Sequence, residues 1–129
     1  MAKILVLGGS RYFGKRLVNL LAGSGKHEVT VATRGQTEAQ FDAAVTQLRL
    51  DRTDEKSLQE AAAAGPWDLV YDNICYSPNE ALAAVRAFKG CVGKYVLTST
   101  LSVYKLGKSP LAEEDFDPYH YELKLGDRQ

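Results

Sequence analysis

The apolar positions at the start of the chain form one short continuous run and then a helical repeat. Residues 4–7 are four aliphatic side chains followed by two glycines, which is typical of a strand buried on both faces of a sheet. Leu17, Leu20 and Leu21 then recur at helical spacing, and a Gly-Ser-Gly stop follows them. The pattern therefore predicts a buried strand, a glycine turn and an amphipathic helix in direct succession.

The same alternation continues over the first three quarters of the chain. It predicts further strands at residues 28–33, 47–50, 68–73 and 94–99, and helices at residues 37–44, 54–64 and 78–88. Asp54 is expected to cap the second of these helices, and Pro78 to open the third. Strands joined by right-handed helical crossovers form an open parallel sheet. We therefore expect an α/β fold, a Rossmann-like doubly wound sheet of about five strands in the order 3-2-1-4-5.

Length and composition narrow the classes of protein that fit this pattern. The 129 residues suit one domain, and 16 basic side chains balance 16 acidic ones. A net charge of zero disfavours a nucleic-acid partner, because binding a duplex needs a basic face. No apolar run approaches the roughly 20 residues that span a bilayer. We therefore expect a cytoplasmic chain with no membrane partner, whose two cysteines are reduced.

The segment from Gly8 to Gly14 lies between the first strand and the first helix. In doubly wound folds this is where the pyrophosphate of a dinucleotide meets a helix N-terminus. Gly8 would permit the tight turn and Gly14 a close approach of helix to strand, while the amides of residues 10–13 would donate to phosphate. An ordinary strand-to-helix loop is the alternative. The position of the Gly8–Gly14 segment, in the first turn of an alternating domain, favours cofactor binding over that alternative.

Four segments carry a resemblance to a known family. They are Gly8-Gly9-Ser10-Arg11-Tyr12-Phe13-Gly14, Arg34, Asp51-Arg52-Thr53-Asp54, and Thr98-Ser99-Thr100-Leu101-Ser102-Val103-Tyr104. Together they resemble the extended short-chain dehydrogenase/reductases, including atypical ones, and most of all the NAD-dependent epimerase/dehydratase family. The resemblance implies an NAD(P)-binding Rossmann-type domain over residues 1–104, with residues 105–129 as a loop-rich continuation of it. It covers only the N-terminal part of such a protein.

The resemblance also implies cofactor contacts at the glycine turn and at the strand ends. Arg11 stands where these families commonly have a middle glycine, so it either pairs with a phosphate or fills part of the cleft. Arg34 replaces the acidic residue that bonds the ribose of NAD, and an arginine there suits the 2′-phosphate of NADP. A solvated surface arginine is the alternative, and NADP or NAD stays open. The implied set is Gly8, Gly9, Ser10, Arg11, Tyr12, Phe13, Gly14, Arg34, Asp51, Arg52, Asn73, Ile74, Cys75 and Ser99.

Residues 51–52 and residues 73–75 each have two interpretations. The resemblance places Asp51 at the adenine amino group with Arg52 beside the ring, whereas a helix-capping or loop carboxylate is the other interpretation of Asp51. Residues 73–75 would line the adenosine ribose and the nicotinamide side of the cofactor, although Asn73 would equally cap the turn before Pro78. Cys75 is expected to pack rather than react, because no His or Lys adjoins it.

Thr100 matches the catalytic Ser/Thr of the resembled enzymes, whose hydroxyl bonds the substrate oxygen. A strand-end threonine that caps local backbone is the alternative. The same chemistry needs a Tyr-x-x-x-Lys pair on one helix face. We expect the chain to lack that pair, since Tyr121 is followed by Lys124 at three residues and by Leu125 at four. The chain by itself is therefore expected to be inactive.

The predicted fifth strand is apolar and is followed by no further strand. A bare parallel edge indicates either a fragment of a larger sheet or cover by a second copy in a homodimer, and we favour the fragment. Three functions stay open: the cofactor half of an epimerase, dehydratase or reductase acting on a nucleotide sugar or similar small-molecule carbinol; a non-catalytic NADP-binding or regulatory module; and RNA binding, which the charge disfavours.

Overall fold

The computed structural model describes residues 1–36, 39–100, 104, 107 and 110–120. These residues form a parallel sheet with helices on both faces. The strands are β1 (Ala2–Leu7), β2 (His27–Thr33), β3 (Thr46–Arg49), β4 (Trp67–Asp72) and β5 (Val92–Leu97). The helices are α1 (Tyr12–Gly23), α2 (Glu55–Ala63) and α3 (Pro78–Phe88), and one 3₁₀ turn spans Glu113–Asp115.

The sheet has the order β3-β2-β1-β4-β5, and every neighbouring pair of strands is parallel. This confirms the predicted Rossmann-like fold and strand order. β1 is central, so Leu5 pairs with Thr30 of β2 on one side and with Val70 of β4 on the other. The strand order changes its winding direction once, between β1 and β4. The carboxyl ends of these two strands therefore open a crevice.

Alternate residues of β1 belong to two separate cores. Ile4 and Val6 face α1 and pack in a cluster with Val18. Leu5 and Leu7 face the opposite way and pack in a cluster that includes Leu58 of α2 and Phe88 of α3, among others. Burial on both faces explains why the strand is a continuous aliphatic run rather than an alternating one.

The three helices begin in different ways. The Asp54 side chain accepts a hydrogen bond from the Lys56 amide at 3.1 Å and caps α2, as predicted. Ser77 caps α3, and its Oγ accepts from the Glu80 amide at 3.2 Å, with Pro78 in the first turn. Ser77, and not Asn73, therefore caps this helix. α1 has no side-chain cap at all.

The helix predicted at residues 37–44 is wrong over the residues described there, 39–44. Side chains replace the helical bonds: the Asp42 amide donates to Asn19 Oδ1 at 3.2 Å, and Asn19 Nδ2 donates to Asp42 Oδ2 at 2.8 Å. Phe41 and Val45 pack against the core on the α1 face. The segment is thus fixed by contacts with α1 rather than by its own backbone. A predicted helical turn at 121–125 lies outside the described residues.

Both cysteines are free and half-buried. In the part of the chain that the structure describes, none of the helices is long and apolar enough to cross a lipid bilayer.

Candidate functional site

A cleft of about 370 Å³ opens at the carboxyl edge of the sheet, between the end of β2 and the end of β4. Its size suits a ligand-binding site. Its walls come from the glycine turn, the residues that end or follow β2 and the segment after β4. The lining residues are Gly8, Ser10, Arg11, Tyr12, Phe13, Gly14, Thr33, Arg34, Gly35, Gln36, Asn73, Ile74 and Tyr76.

At Gly8, Gly9 and Gly14 the turn leaves no room for a side chain. Gly8 has φ of +79°, and a Cβ there would collide with the Ile74 side chain. A Cβ on Gly14 would lie 2.5 Å from the Gly8 carbonyl oxygen, and one on Gly9 would lie 2.8 Å from Val18. These glycines therefore let the turn pass between β1, α1 and the segment after β4.

Residues 11–13 form the exposed rim of the turn. Tyr12 has φ of +49°, the left-handed region that non-glycine residues rarely occupy, and its side chain is 88% exposed. Phe13 is also exposed. Backbone strain of this kind concentrates at ligand-binding loops. Three large side chains thus stand at the cleft mouth instead of being packed in the core.

The N-terminus of α1 is the polar focus of the cleft. Arg11 occupies the N-cap position without a side-chain cap bond, and no acidic residue lies in the first turn. Among the described residues that line the cleft there are two arginines, Arg11 and Arg34, and no carboxylate. A helix N-terminus without a side-chain cap, together with nearby cations, favours an anionic ligand. α2 and α3, which are capped by their own side chains, have no such opening.

Asn73 connects this cleft to the end of β5. Its Oδ1 accepts a hydrogen bond from Thr98 Oγ1 at 2.7 Å. Its Nδ2 is buried and has no hydrogen-bond partner among the described residues, and it would lie 3.5 Å from a Cβ at Gly14. A buried donor without a partner is costly, so it indicates that a ligand or water supplies the acceptor.

Arg52 departs from the prediction that placed it beside an adenine ring. It is 3% exposed, and its Nη1 donates to both carboxylate oxygens of Asp72, at 2.6 and 2.7 Å. Its Nη2 donates to the Glu80 carbonyl at 3.1 Å. The prediction is corrected because a buried carboxylate claims the guanidinium, and neither end of this pair lines the cleft.

A third side chain, that of Tyr95, joins the buried pair of Arg52 and Asp72. Tyr95 donates its hydroxyl to Asp72 Oδ2 at 2.6 Å. Burial, together with the adjacent charge of Asp72, raises the pKa of Tyr95. Burial by itself lowers the pKa of Arg52, but the hydrogen bond and charge of Asp72 outweigh it and the pKa is raised. The cluster therefore holds one positive charge, one negative charge and a neutral phenol.

Besides Arg52, five predicted site residues lie outside the cleft lining. They are Gly9, which lies behind the turn, and Asp51, Cys75, Ser99 and Thr100. Asp51 Oδ1 accepts from the amide and the hydroxyl of Thr53, which is the loop arrangement named above as the alternative. Burial raises the pKa of the Cys75 thiol. Ser99 and Thr100 are exposed beyond β5, and their roles stay predictions.

Tyr104 and Lys108 do stand four residues apart, which corrects the expectation that the chain lacks this spacing. The spacing alone does not place them on one helix face. Gly107 between them has φ of +106°, which no α-helical residue adopts. The Tyr104 ring packs edge-on against Phe116, with ring centroids 6.3 Å apart. Lys108 itself lies outside the described residues.

Four lining residues were not predicted from the sequence: Thr33, Gly35, Gln36 and Tyr76. The Tyr76 amide donates to Glu80 Oε2 at 2.6 Å, while Ser77 Oγ accepts from the Glu80 amide. This is a variant of the capping box, and the pattern Ser77-x-x-Glu80 signals it in the sequence. The signal locates the helix start, and hence the residue at the cleft wall just before it.

The family model described as "NAD dependent epimerase/dehydratase family" matches residues 4–80, more than half of the chain. The chain belongs to this family. It is 30% identical over 116 residues to 2′-dehydrokanamycin reductase of Streptomyces kanamyceticus, which covers 90% of the chain and 33% of that protein. It is 30% identical over 127 residues to the chloroplast stem-loop binding protein of 41 kDa b of Arabidopsis thaliana, with 88% and 33% covered. The chain thus spans about a third of these relatives' length.

Solved structures share the fold. A UDP-glucose 4-epimerase structure superimposes with a TM-score of 0.74 at 20% identity, covering 88% of this chain and 40% of that one. A Rossmann-fold NAD(P)-binding family protein from Shigella flexneri gives a TM-score of 0.61 at 21% identity, covering 75% and 50%. The family implies a nicotinamide dinucleotide as the cofactor.

Proposed function

We propose that the cleft binds a nicotinamide dinucleotide, and NADP in preference to NAD. The pyrophosphate lies against the uncapped N-terminus of α1, between Gly8 and Gly14. The adenosine half extends toward Arg34 and the nicotinamide half toward Asn73. When bound, the cofactor supplies a hydride acceptor or donor, and the chain supplies the amides, cations and shape that hold it.

One contrast carries this proposal: α1 alone of the three helices α1–α3 has no side-chain cap, and its N-terminus opens into the cleft. Two further observations support it. The turn glycines have no room for a Cβ, and Asn73 Nδ2 has no hydrogen-bond partner among the described residues. The preference for NADP rests on Arg34, which is an exposed cation. The described residues of the lining include no carboxylate that would accept a ribose hydroxyl.

The test is a titration of the 129-residue chain with NADPH and NADH, followed by nucleotide fluorescence. Wild type is expected to bind NADPH more tightly. Arg34→Ala is expected to weaken NADPH about tenfold, or about 1.4 kcal/mol, and to leave NADH unchanged. Arg86→Ala, which removes an exposed arginine of α3 away from the cleft, is the matched control. Tighter binding of NADH by wild type overturns the NADP assignment.

The reaction of the whole protein is a further part of the proposal. We infer an epimerase, dehydratase or reductase that acts on a nucleotide sugar or similar small carbinol, with Thr100 at the substrate oxygen. The S. kanamyceticus relative is named as a reductase, which supports this class. Turnover of NADPH by the 129-residue chain alone is not expected, because Gly107 interrupts any helix that would join Tyr104 to Lys108.

A non-catalytic NADP-binding module is the second candidate. The large rim side chains Arg11 and Tyr12, in the place of a small glycine turn, favour it. For RNA binding, the support among the comparisons is that the Arabidopsis relative is named as a stem-loop binding protein. A formal charge of zero does not favour it, since phosphate backbones bind basic surfaces. Binding of NADPH without turnover by the full-length protein would select the module over the enzyme.

A further inference from the structure

The segment from Asn73 to Tyr76 forms the β4 side of the cleft, and its conformation is set from outside the cleft. Asn73, Ile74 and Tyr76 face the ligand space. Two of their backbone amides are held by side chains that do not line it. Asp72 Oδ1 accepts from the Ile74 amide at 3.2 Å, and Glu80 Oε2 accepts from the Tyr76 amide at 2.6 Å.

Arg52 connects both of these anchors. Its Nη1 bonds the Asp72 carboxylate, and its Nη2 bonds the carbonyl of Glu80, so one guanidinium fixes the strand end and the helix start on either side of the segment. The pair is buried, with side-chain exposures of 2% for Arg52 and 1% for Asp72. Tyr95 holds the second Asp72 oxygen from β5. The carboxylate therefore has few other orientations available to it.

This arrangement needs the planar guanidinium of arginine, with its two donor nitrogens, rather than a single ammonium group. Arg52 donates from two different nitrogens to partners on two different elements, β4 and α3. A lysine ammonium on a flexible stem reproduces the charge but not both directions. The arrangement depends on the direction of the hydrogen bonds, and not only on the sign of the charge.

We propose that Arg52 and Glu80 are positioning residues for the cofactor: they hold the segment from Asn73 to Tyr76 in the shape that receives the nicotinamide half. This inference rests on the proposed function. In a doubly wound sheet the two halves of a dinucleotide bind on either side of the change in winding. The adenosine half lies on the β2 side with Arg34, across the cleft from this segment. Disturbing the anchors should therefore weaken the nicotinamide half only.

The experiment measures two ligands on the 129-residue chain by calorimetry. NADPH reports both halves, and adenosine 2′,5′-bisphosphate reports the adenosine half alone. The variants are Arg52→Lys and Glu80→Ala. Glu80→Gln is the conservative rescue, because its amide oxygen still accepts from the Tyr76 amide. Arg86→Lys on the outer face of α3 is the matched control, and melting temperatures are recorded for every variant.

We expect Arg52→Lys and Glu80→Ala to weaken NADPH about tenfold and to change the bisphosphate less than twofold. Glu80→Gln should bind as wild type does. If Arg52→Lys does not fold, the Glu80→Ala and Glu80→Gln pair decides the question.

Other outcomes overturn the inference in distinguishable ways. An equal loss of affinity for both ligands in Arg52→Lys would mean that Arg52 acts on the adenosine half, as the contact with adenine predicted from the sequence requires. Lower melting temperatures with unchanged affinities would leave a purely structural pair. If wild type binds the bisphosphate but not NADPH, or neither ligand, the proposed function itself fails.

Discussion

Two arginines follow neighbouring strands of the sheet and have opposite environments. Arg34 follows β2, is exposed and lines the cleft. Arg52 comes three residues after β3, is 3% exposed and is paired with Asp72. The difference lies in what faces each side chain: open cleft for the first, a buried carboxylate for the second. A strand-end position thus does not assign an arginine to a ligand, whereas a buried acidic partner assigns it to the fold.

Removing the partner should break this contrast with the largest effect. Asp72→Ala leaves the buried Arg52 charge without its carboxylate, so we expect a loss of about 3–5 kcal/mol in the free energy of unfolding. Urea denaturation followed by the fluorescence of Trp67 measures it. Arg34→Ala is the control and should change stability by less than about 0.5 kcal/mol. Equal losses for the two variants would contradict the assigned environments.

The sequence predicted the sheet because its physical signals are local. The aliphatic run of β1, the proline that opens α3 and the Asp54 cap each specify an element without knowledge of the rest of the chain. The helix predicted at 37–44 failed for the opposite reason. Its outcome depends on Asn19, more than twenty residues earlier, which bonds Asp42 in the folded chain.

The candidate site divides along the same line. The glycine turn was predictable because a strand, three glycines and a helix adjoin one another in the sequence. Arg52 was not, because its partners Asp72 and Glu80 are 20 and 28 residues away. Tyr76 was missed because its own type gives no signal, and only the Ser77-x-x-Glu80 pattern beside it does.

A substitution in the glycine turn should give the next largest effect. In Gly14→Ala the new Cβ would lie 2.5 Å from the Gly8 carbonyl oxygen, so backbone must move, and we expect a loss of about 1–3 kcal/mol. Gly23→Ala at the end of α1 meets nothing within 4 Å and should be neutral or slightly stabilising. Thermal denaturation of both variants checks the pair. A Gly14→Ala variant as stable as Gly23→Ala would mean that the turn is looser than described.

The smallest effect concerns Tyr95 and is seen in alkaline solution. Tyr95→Phe removes one bond to Asp72 Oδ2, which Arg52 still contacts, so we expect a loss of about 1 kcal/mol at neutral pH. The pKa of Tyr95 is raised in the folded state, so the folded chain retains this proton more strongly than the unfolded one. Its contribution is therefore complete below the ordinary tyrosine pKa of about 10 and is lost as the pH rises above it.

Unfolding curves between about pH 8 and pH 11 measure this dependence against the ordinary tyrosine value. Wild type should lose more stability over that range than Tyr95→Phe, in which the group is missing. The other tyrosines titrate in both proteins and cancel in the difference. Parallel pH profiles for the two proteins would show that Tyr95 is not held in its neutral form by Asp72.

The most direct test of the proposed cleft is a titration of the isotope-labelled chain with NADPH, followed by the amide signals of each residue. The account predicts shifts at Gly8–Gly14, at Arg34 and at Asn73–Tyr76, with the signals of Thr46–Arg49 in β3 unchanged. Shifts confined to other parts of the chain, or no shifts with saturating NADPH, would contradict it.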